Sequence, residues 1–131
     1  SGHWSWAPGR PSTVDALIGI LRKFKTPLEE GRVKVHVGND LEILSLFPDN
    51  YFDWVYIDTS HQYEHTKQEL LLSSKKVKDC GVIAGDDWWS DPEHRHHGVY
   101  RAVNEFVDSQ EYKIVYSNED IHQWAIKKVV R

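Results

Sequence analysis

The chain has 131 residues, of which 16 are Lys or Arg and 20 are Asp or Glu, so its formal net charge is −4 at pH 7. This length predicts one domain at most, and the scattered basic residues argue against a nucleic-acid partner. A single cysteine and the absence of a long apolar run exclude an internal disulfide and argue against a membrane span or membrane partner, so we predict a cytoplasmic protein.

The N-terminal segment, residues 1–12, is predicted to be irregular because it contains two prolines and a glycine in succession, and its first three residues resemble the remnant of an expression tag. We expect one truncated domain over residues 13–131. Its first helix would begin at Ser12 or Thr13, whose hydroxyl groups can cap it. Apolar residues then recur at helical spacing until Pro27, which should end the helix.

Five strands are predicted after that helix. They cover residues 32–37, 54–57, 81–85, 112–116 and 122–129. Helices are predicted at residues 41–47, 62–78 and 99–107. A right-handed crossover makes the second and third strands parallel, whereas the short turn between the last two makes them antiparallel. The predicted fold class is α/β, with a mostly parallel sheet of about five strands and helices on both faces.

Three aspartates follow the ends of two of these strands. Asp58 closes the run 54–57, and Asp86 and Asp87 close the run 81–85. Parallel strands end at one edge of the sheet, where open α/β sheets bind ligands, so we expect the three carboxylates to converge. Carboxylates this close resist ionising together unless a cation neutralises them, which favours a hard divalent metal such as Mg²⁺. The alternative is that they cap the next helix or turn.

Histidine and aromatic residues lie near the same edge in sequence. His61, three residues after Asp58, is a candidate general base because its ordinary pKa suits neutral pH, although capping or packing is an alternative role. Tyr63, Trp88 and Trp89 are candidates for an aromatic wall against a sugar or an adenine ring. Their alternative role is to cover an apolar edge of the sheet.

A second candidate metal group lies in a single loop. His94, His96 and His97 accompany Asp91 and Glu93, and imidazoles this close in sequence can bind Zn²⁺ or Ni²⁺. Their spacing matches no structural zinc pattern, so a mobile polar loop is the alternative.

Three segments, taken in order, carry a resemblance to a known family. They read FDWVYIDTSHQYE at 52–64, GVIAGDDW at 81–88 and GVYRAVNEF at 98–106. The chain resembles the class I S-adenosylmethionine-dependent methyltransferases, which have a Rossmann-like sheet. It is most similar to the metal-dependent sugar and antibiotic O-methyltransferases related to the macrocin O-methyltransferases.

The resemblance implies a cofactor site, a metal site and a substrate class. It assigns Gly38, Asn39 and Asp40 to the binding of S-adenosylmethionine, with Asn39 in the position of the acid that contacts the adenine amino group. It assigns the three aspartates to a divalent metal that orients a substrate hydroxyl and lowers its pKa. The implied substrate is a small hydroxyl-bearing molecule such as a sugar.

The chain also departs from the family pattern. Family members carry an upstream strand with a Gly-rich turn and a second strand whose final acid binds the ribose, and neither motif occurs here. The chain therefore looks like the C-terminal half of such an enzyme. A non-catalytic binding or assembly module and an inactive fragment remain alternatives to an O-methyltransferase. Because strands are missing beside residues 54–58, we expect a homodimer to cover the unpaired edge.

Overall fold

The computed structural model describes residues 13–130, so the segment predicted to be irregular, residues 1–12, lies outside the described residues. The chain divides into two compact units at Val37/Gly38. In the first, α1 spans Thr13–Lys23 and α2 spans Lys25–Glu29. The prediction that Pro27 ends a helix is wrong. Pro27 lies in the first turn of α2. Backbone N–H groups in the first turn of a helix have no acceptor within the helix, so proline, which has no N–H, is tolerated there.

The predicted strand Arg32–Val37 is also wrong. Among residues 13–130, this segment pairs with no other strand. Its alternating valines have the period of a strand, but a strand also needs a neighbour to satisfy its backbone N–H and C=O groups. The alternation does not mark one buried face either, because Val37 is 71% exposed.

The second unit is a four-stranded mixed sheet with three helices. In chain order the elements are α3 (Asp40–Ser45), β1 (Phe52–Ile57), α4 (Tyr63–Lys76), β2 (Val77–Gly85), α5 (His97–Ser109), β3 (Tyr112–Asn118) and β4 (Gln123–Lys128). The strand order is β1-β2-β4-β3. The described residues thus form four strands rather than about five.

The strand directions agree with the predicted connections. β1 and β2 are parallel, as the crossover through α4 requires, and β3 and β4 are antiparallel neighbours. β4 is also antiparallel to β2, so three strands run in one direction and β4 runs in the other. The reversed final strand is confirmed, although β1 and β2 are the only parallel neighbours in the described sheet.

The core lies on one face of the sheet. Helices α4 and α5 pack against each other, α4 against β1 and β2, and α5 against β3. Large side chains of this core include Ile57, Ile83, Trp124 and Ile126 from the sheet and Leu70, Val103 and Phe106 from the helices. Each such side chain stabilises the fold by about 1.5–3 kcal/mol when fully buried. This packing fixes the position of the edge at which β1 and β2 end.

The opposite face of the sheet carries exposed aromatic side chains. Trp54 and Tyr56 alternate with core residues along β1 and are 66% and 44% exposed, and Tyr116 on β3 is 46% exposed. Helices α4 and α5 both pack on the core side, and helices on both faces of the sheet remain a prediction. Nowhere in residues 13–130 is there a helix long and apolar enough to cross a membrane.

Candidate functional site

The structure brings the three aspartates together at the edge where β1 and β2 end. Ile57 and Gly85 are partners in the sheet, so the residues that follow them, Asp58 and Asp86, are level with each other. One carboxylate oxygen from each of Asp58, Asp86 and Asp87 lies within 4.8 Å of the others. Asp58 is exposed and Asp87 is buried, so the group opens to solvent on one side. Whether it binds a metal remains a prediction.

This edge carries an excess of negative charge. Partial burial raises the pKa of Asp58, and the neighbouring carboxylates of Asp86 and Asp87 raise it further. The pKa of the Tyr56 hydroxyl is raised by burial and by the same aspartates. A divalent cation among the three carboxylates would relieve this repulsion, and carboxylate oxygens are its preferred ligands. The residues present therefore fit a hard divalent metal.

Asp87 also faces two histidines. His61 Nδ1 contacts Asp87 Oδ2, and His96 Nδ1 lies 3.0 Å from Asp87 Oδ1. The two imidazole rings stack with their centroids 4.2 Å apart. Burial lowers the pKa of His96, although the Asp87 carboxylate opposes this shift. His61 thus lies beside the aspartates. A general base for a substrate bound there would need this position.

The candidate loop histidines do not come together as one metal-binding group. His97 Nδ1 lies 2.8 Å from the carbonyl oxygen of Trp89, and His94 stacks on the Trp89 ring at 3.7 Å. In the part of the chain that the structure describes, His96 alone of the three belongs to a group that could bind a metal. Its histidine partner, His61, lies far away in sequence, so spacing within the loop could not reveal the pair.

The three candidate aromatic residues are all packed against other groups. The Tyr63 hydroxyl donates to the carboxylate of Glu105 on α5. Trp88 is 4% exposed and belongs to the core, and Trp89 stacks on His122 with ring centroids 3.4 Å apart. This packing favours the structural alternative, most clearly for Trp88. A role against substrate remains a prediction for Tyr63 and Trp89.

The candidate cofactor turn is used to start α3. Asn39 is the N-cap, and its Oδ1 accepts from the N–H groups of Leu41 and Glu42 at 2.9 and 3.3 Å. Both lone pairs of that oxygen are therefore in use, and a bond from the adenine amino group would require the cap to open. Gly38 precedes it at a φ of +151°, a backbone conformation that favours glycine.

Asp40 belongs to a partly buried group that the sequence analysis missed. Its Oδ1 lies 2.9 Å from His65 Nε2, and its carboxyl hydrogen-bonds that of Glu69. Glu69 is only 2% exposed, and the Thr59 hydroxyl lies 2.7 Å from Glu69 Oε2. Burial raises the pKa of Glu69 to about 8, and its bond to Asp40 adds to the shift.

The raised pKa of Glu69 and the lowered pKa of Asp40 favour a neutral Glu69 beside an ionised Asp40, with one proton between the two carboxyl groups. Asp40, His65 and Glu69 are near enough to bind a cation. The shared proton can hold the carboxyl groups of Asp40 and Glu69 together, so no cation is needed to explain why they lie close. The sequence signal that could have revealed Glu69 is its place four residues after His65, on the buried side of α4.

Comparison with known proteins gives a family and a fold. The chain matches the family of methyltransferase domains over residues 12–88. None of the curated proteins matches it in sequence.

Solved structures with the same fold are distant in sequence. An O-methyltransferase from Bacillus cereus in complex with SAH is 18% identical with a TM-score of 0.63, and covers 93% of this chain. A Corynebacterium glutamicum protein is 10% identical with a TM-score of 0.65 over 87% of this chain. SAH-bound PaMTH1, a methyltransferase from Podospora anserina, is 16% identical with a TM-score of 0.55 over 88% of this chain.

The chain spans only part of these structures, namely 60% of the Bacillus cereus protein, 58% of the Corynebacterium glutamicum protein and 57% of PaMTH1. At these identities the likeness establishes the fold alone. The family match covers more than half of the sequence and includes the ends of both parallel strands. The chain therefore belongs to the family of methyltransferase domains, and it carries part of the fold of its structural relatives.

Proposed function

We propose that this chain is the metal- and substrate-binding part of an S-adenosylmethionine-dependent O-methyltransferase related to the macrocin O-methyltransferases. Asp58, Asp86 and Asp87 bind a divalent cation, Mg²⁺ in the first instance. The observation that carries the proposal is their convergence within 4.8 Å, with a raised pKa at Asp58, where two parallel strands end.

His61 is the general base in this proposal. A bound Mg²⁺ would supply a positive charge that lowers the pKa of a substrate hydroxyl. His61 Nδ1 faces Asp87, so the carboxylate orients the ring and leaves Nε2 to accept the hydroxyl proton. Asp87 acts here through His61 and is a positioning residue as well as a metal ligand.

The cofactor is accommodated only in part. S-adenosylmethionine, the methyl donor that the family implies, would meet the turn Gly38–Asp40 on this chain. The oxygen of Asn39, the candidate contact to adenine, is committed to capping α3. The described residues alone therefore do not fit the cofactor, and we derive no step through it.

Thermal melts with and without about 10 mM Mg²⁺, Mn²⁺ or Ca²⁺ test the metal site. An ion present at about 100 times its Kd stabilises the folded state by about 2.7 kcal/mol, so the Tm should rise by several degrees. Asp58→Asn should abolish this rise. Asp108→Asn, which changes an exposed aspartate on α5, should retain it. An unchanged Tm in the wild type, or an equal rise in Asp58→Asn, would contradict the proposal.

The non-catalytic alternative is favoured by a different observation. β1 is an edge strand of the described sheet, and its outer-face residues Trp54 and Tyr56 are exposed. An exposed edge and apolar face of this kind promote association. The chain could then act as an assembly module that pairs with a second copy of itself.

A further inference from the structure

We propose that His61, Asp87 and His96 form a second metal site, selective for a transition-metal ion such as Zn²⁺. Two imidazole nitrogens and one carboxylate oxygen are typical zinc ligands, whereas the three aspartates present only hard oxygen ligands. The two groups share Asp87. They are otherwise made of different residues.

The geometry of the ligand atoms supports this site. Both histidines present Nδ1 to Asp87, each on a different carboxylate oxygen. The two rings are stacked with an interplanar angle of 25°, on the same side of Asp87 as their Nδ1 contacts. The three ligand atoms lie within 4.8 Å of one another. Zinc–ligand distances of about 2.0–2.2 Å place tetrahedral ligand atoms about 3.3–3.6 Å apart, which is within that limit.

His61 has a polar atom that lacks a hydrogen bond. Its Nδ1 is buried and touches Asp87, yet makes no hydrogen bond of acceptable geometry. A buried polar atom in this condition is costly unless something else binds it. A metal ion at this position would satisfy it.

The backbone at the site is also strained. His61 and Asp87 have φ angles of +63° and +67°, in the left-handed region that residues with side chains seldom adopt. Residues in this conformation cluster at binding sites.

Occupancy by Zn²⁺ would have a functional consequence that rests on the proposed function. The ion would take Asp87 from the three-aspartate group, and with Nδ1 of His61 on the metal the ring proton would lie on Nε2, which could then accept no proton. Zinc should therefore oppose Mg²⁺ binding at the neighbouring site.

Calorimetric titration of metal-free protein with ZnCl₂ at pH 7 tests the site directly. We expect one ion per chain in the wild type, and affinity at least about 10-fold weaker in His96→Gln. His94→Gln is the matched control, because His94 lies in the same loop but outside the group. It should bind Zn²⁺ like the wild type. Unchanged affinity in His96→Gln, or an equal loss in both variants, would overturn the proposal.

Two further measurements keep the test decisive. If His96→Gln fails to fold, the wild type can be tested by ¹H–¹⁵N spectra of its histidine side chains. Zn²⁺ should shift the Nδ1 signals of two imidazoles, those of His61 and His96. Shifts spread over the other histidines would overturn the site. Asp58→Asn should lose the Mg²⁺ effect but keep Zn²⁺ binding, so a failure of the proposed function is distinguishable from a failure of the zinc site.

Discussion

Replacing Glu69 by Gln should make the protein more stable at alkaline pH and leave it almost unchanged at pH 5. Glu69 is buried, and its pKa rises from an ordinary value of 4.5 to about 8 in the folded chain. Between these two values the folded state holds one proton more than the unfolded state. The free energy of unfolding must therefore fall as pH rises through this window. The contribution of Glu69 is complete below pH 4.5 and lost above about pH 8.

The size of the effect follows from the same shift. The difference between about 8 and 4.5 is about 3.5 pKa units, and each unit corresponds to about 1.4 kcal/mol, so the upper limit is about 5 kcal/mol. Gln reproduces the neutral carboxyl group without its proton equilibrium. Its carbonyl oxygen can accept from the Thr59 hydroxyl, and its NH₂ group can donate to Asp40.

Urea denaturation between pH 5 and 8.5 provides the assay. The wild type should lose several kcal/mol across this range, and Glu69→Gln should lose much less, so that the variant is the more stable protein at pH 8.5. Glu64→Gln, an exposed position on the same helix, should follow the wild type. Parallel pH profiles for wild type and Glu69→Gln would show that Glu69 is ionised at neutral pH and would refute the reasoning.

Three further predictions concern the edge, the packing and the cofactor. Light scattering should give a mass above the 15.3 kDa of one chain, and Trp54→Lys should reduce it, whereas a monomeric wild type would contradict association through β1. Gly85→Ala should lower the free energy of unfolding by more than about 2 kcal/mol, because its Cβ would lie 2.5 Å from the Trp124 ring. In the control variant Gly19→Ala the new Cβ has nothing within 4 Å, so the free energy of unfolding should not fall. Equal losses in the two variants would rule out the clash with Trp124. Calorimetry should give a Kd for S-adenosylmethionine near or above the millimolar range, about 4 kcal/mol or less, since the Asn39 oxygen is engaged, and low-micromolar binding would contradict this.

The parts of the fold that local pattern and handedness govern could be predicted from the sequence. The runs ending at Asp58 and Asp86 are short, apolar and joined by a helix, and the crossover rule then requires parallel strands with their ends together. The segment Arg32–Val37 has an equally clear alternation but no strand partner within residues 13–130. Alternation predicts an extended backbone, whereas pairing depends on what lies beside it.

The sites that depend on distant contacts could not be predicted in this way. His96 meets His61 only because the loop after β2 folds back over the strand ends, and Glu69 meets Asp40 only because α3 packs on α4. Neither pair is marked by a fixed spacing. The pKa of Glu69 is a property of its burial and its partners, and an isolated sequence contains neither.

The backbone conformation of Asp87 lets this residue join Asp86 in the three-aspartate group and also face the two histidines. Consecutive side chains of an extended strand point to opposite faces, so Asp86 and Asp87 could not converge if β2 simply continued. The backbone instead leaves the strand after Gly85, and Asp87 adopts a φ of +67°. Asp tolerates this conformation better than a β-branched or bulky residue does. One strained residue thus directs a buried carboxylate toward both the aspartates and the histidines.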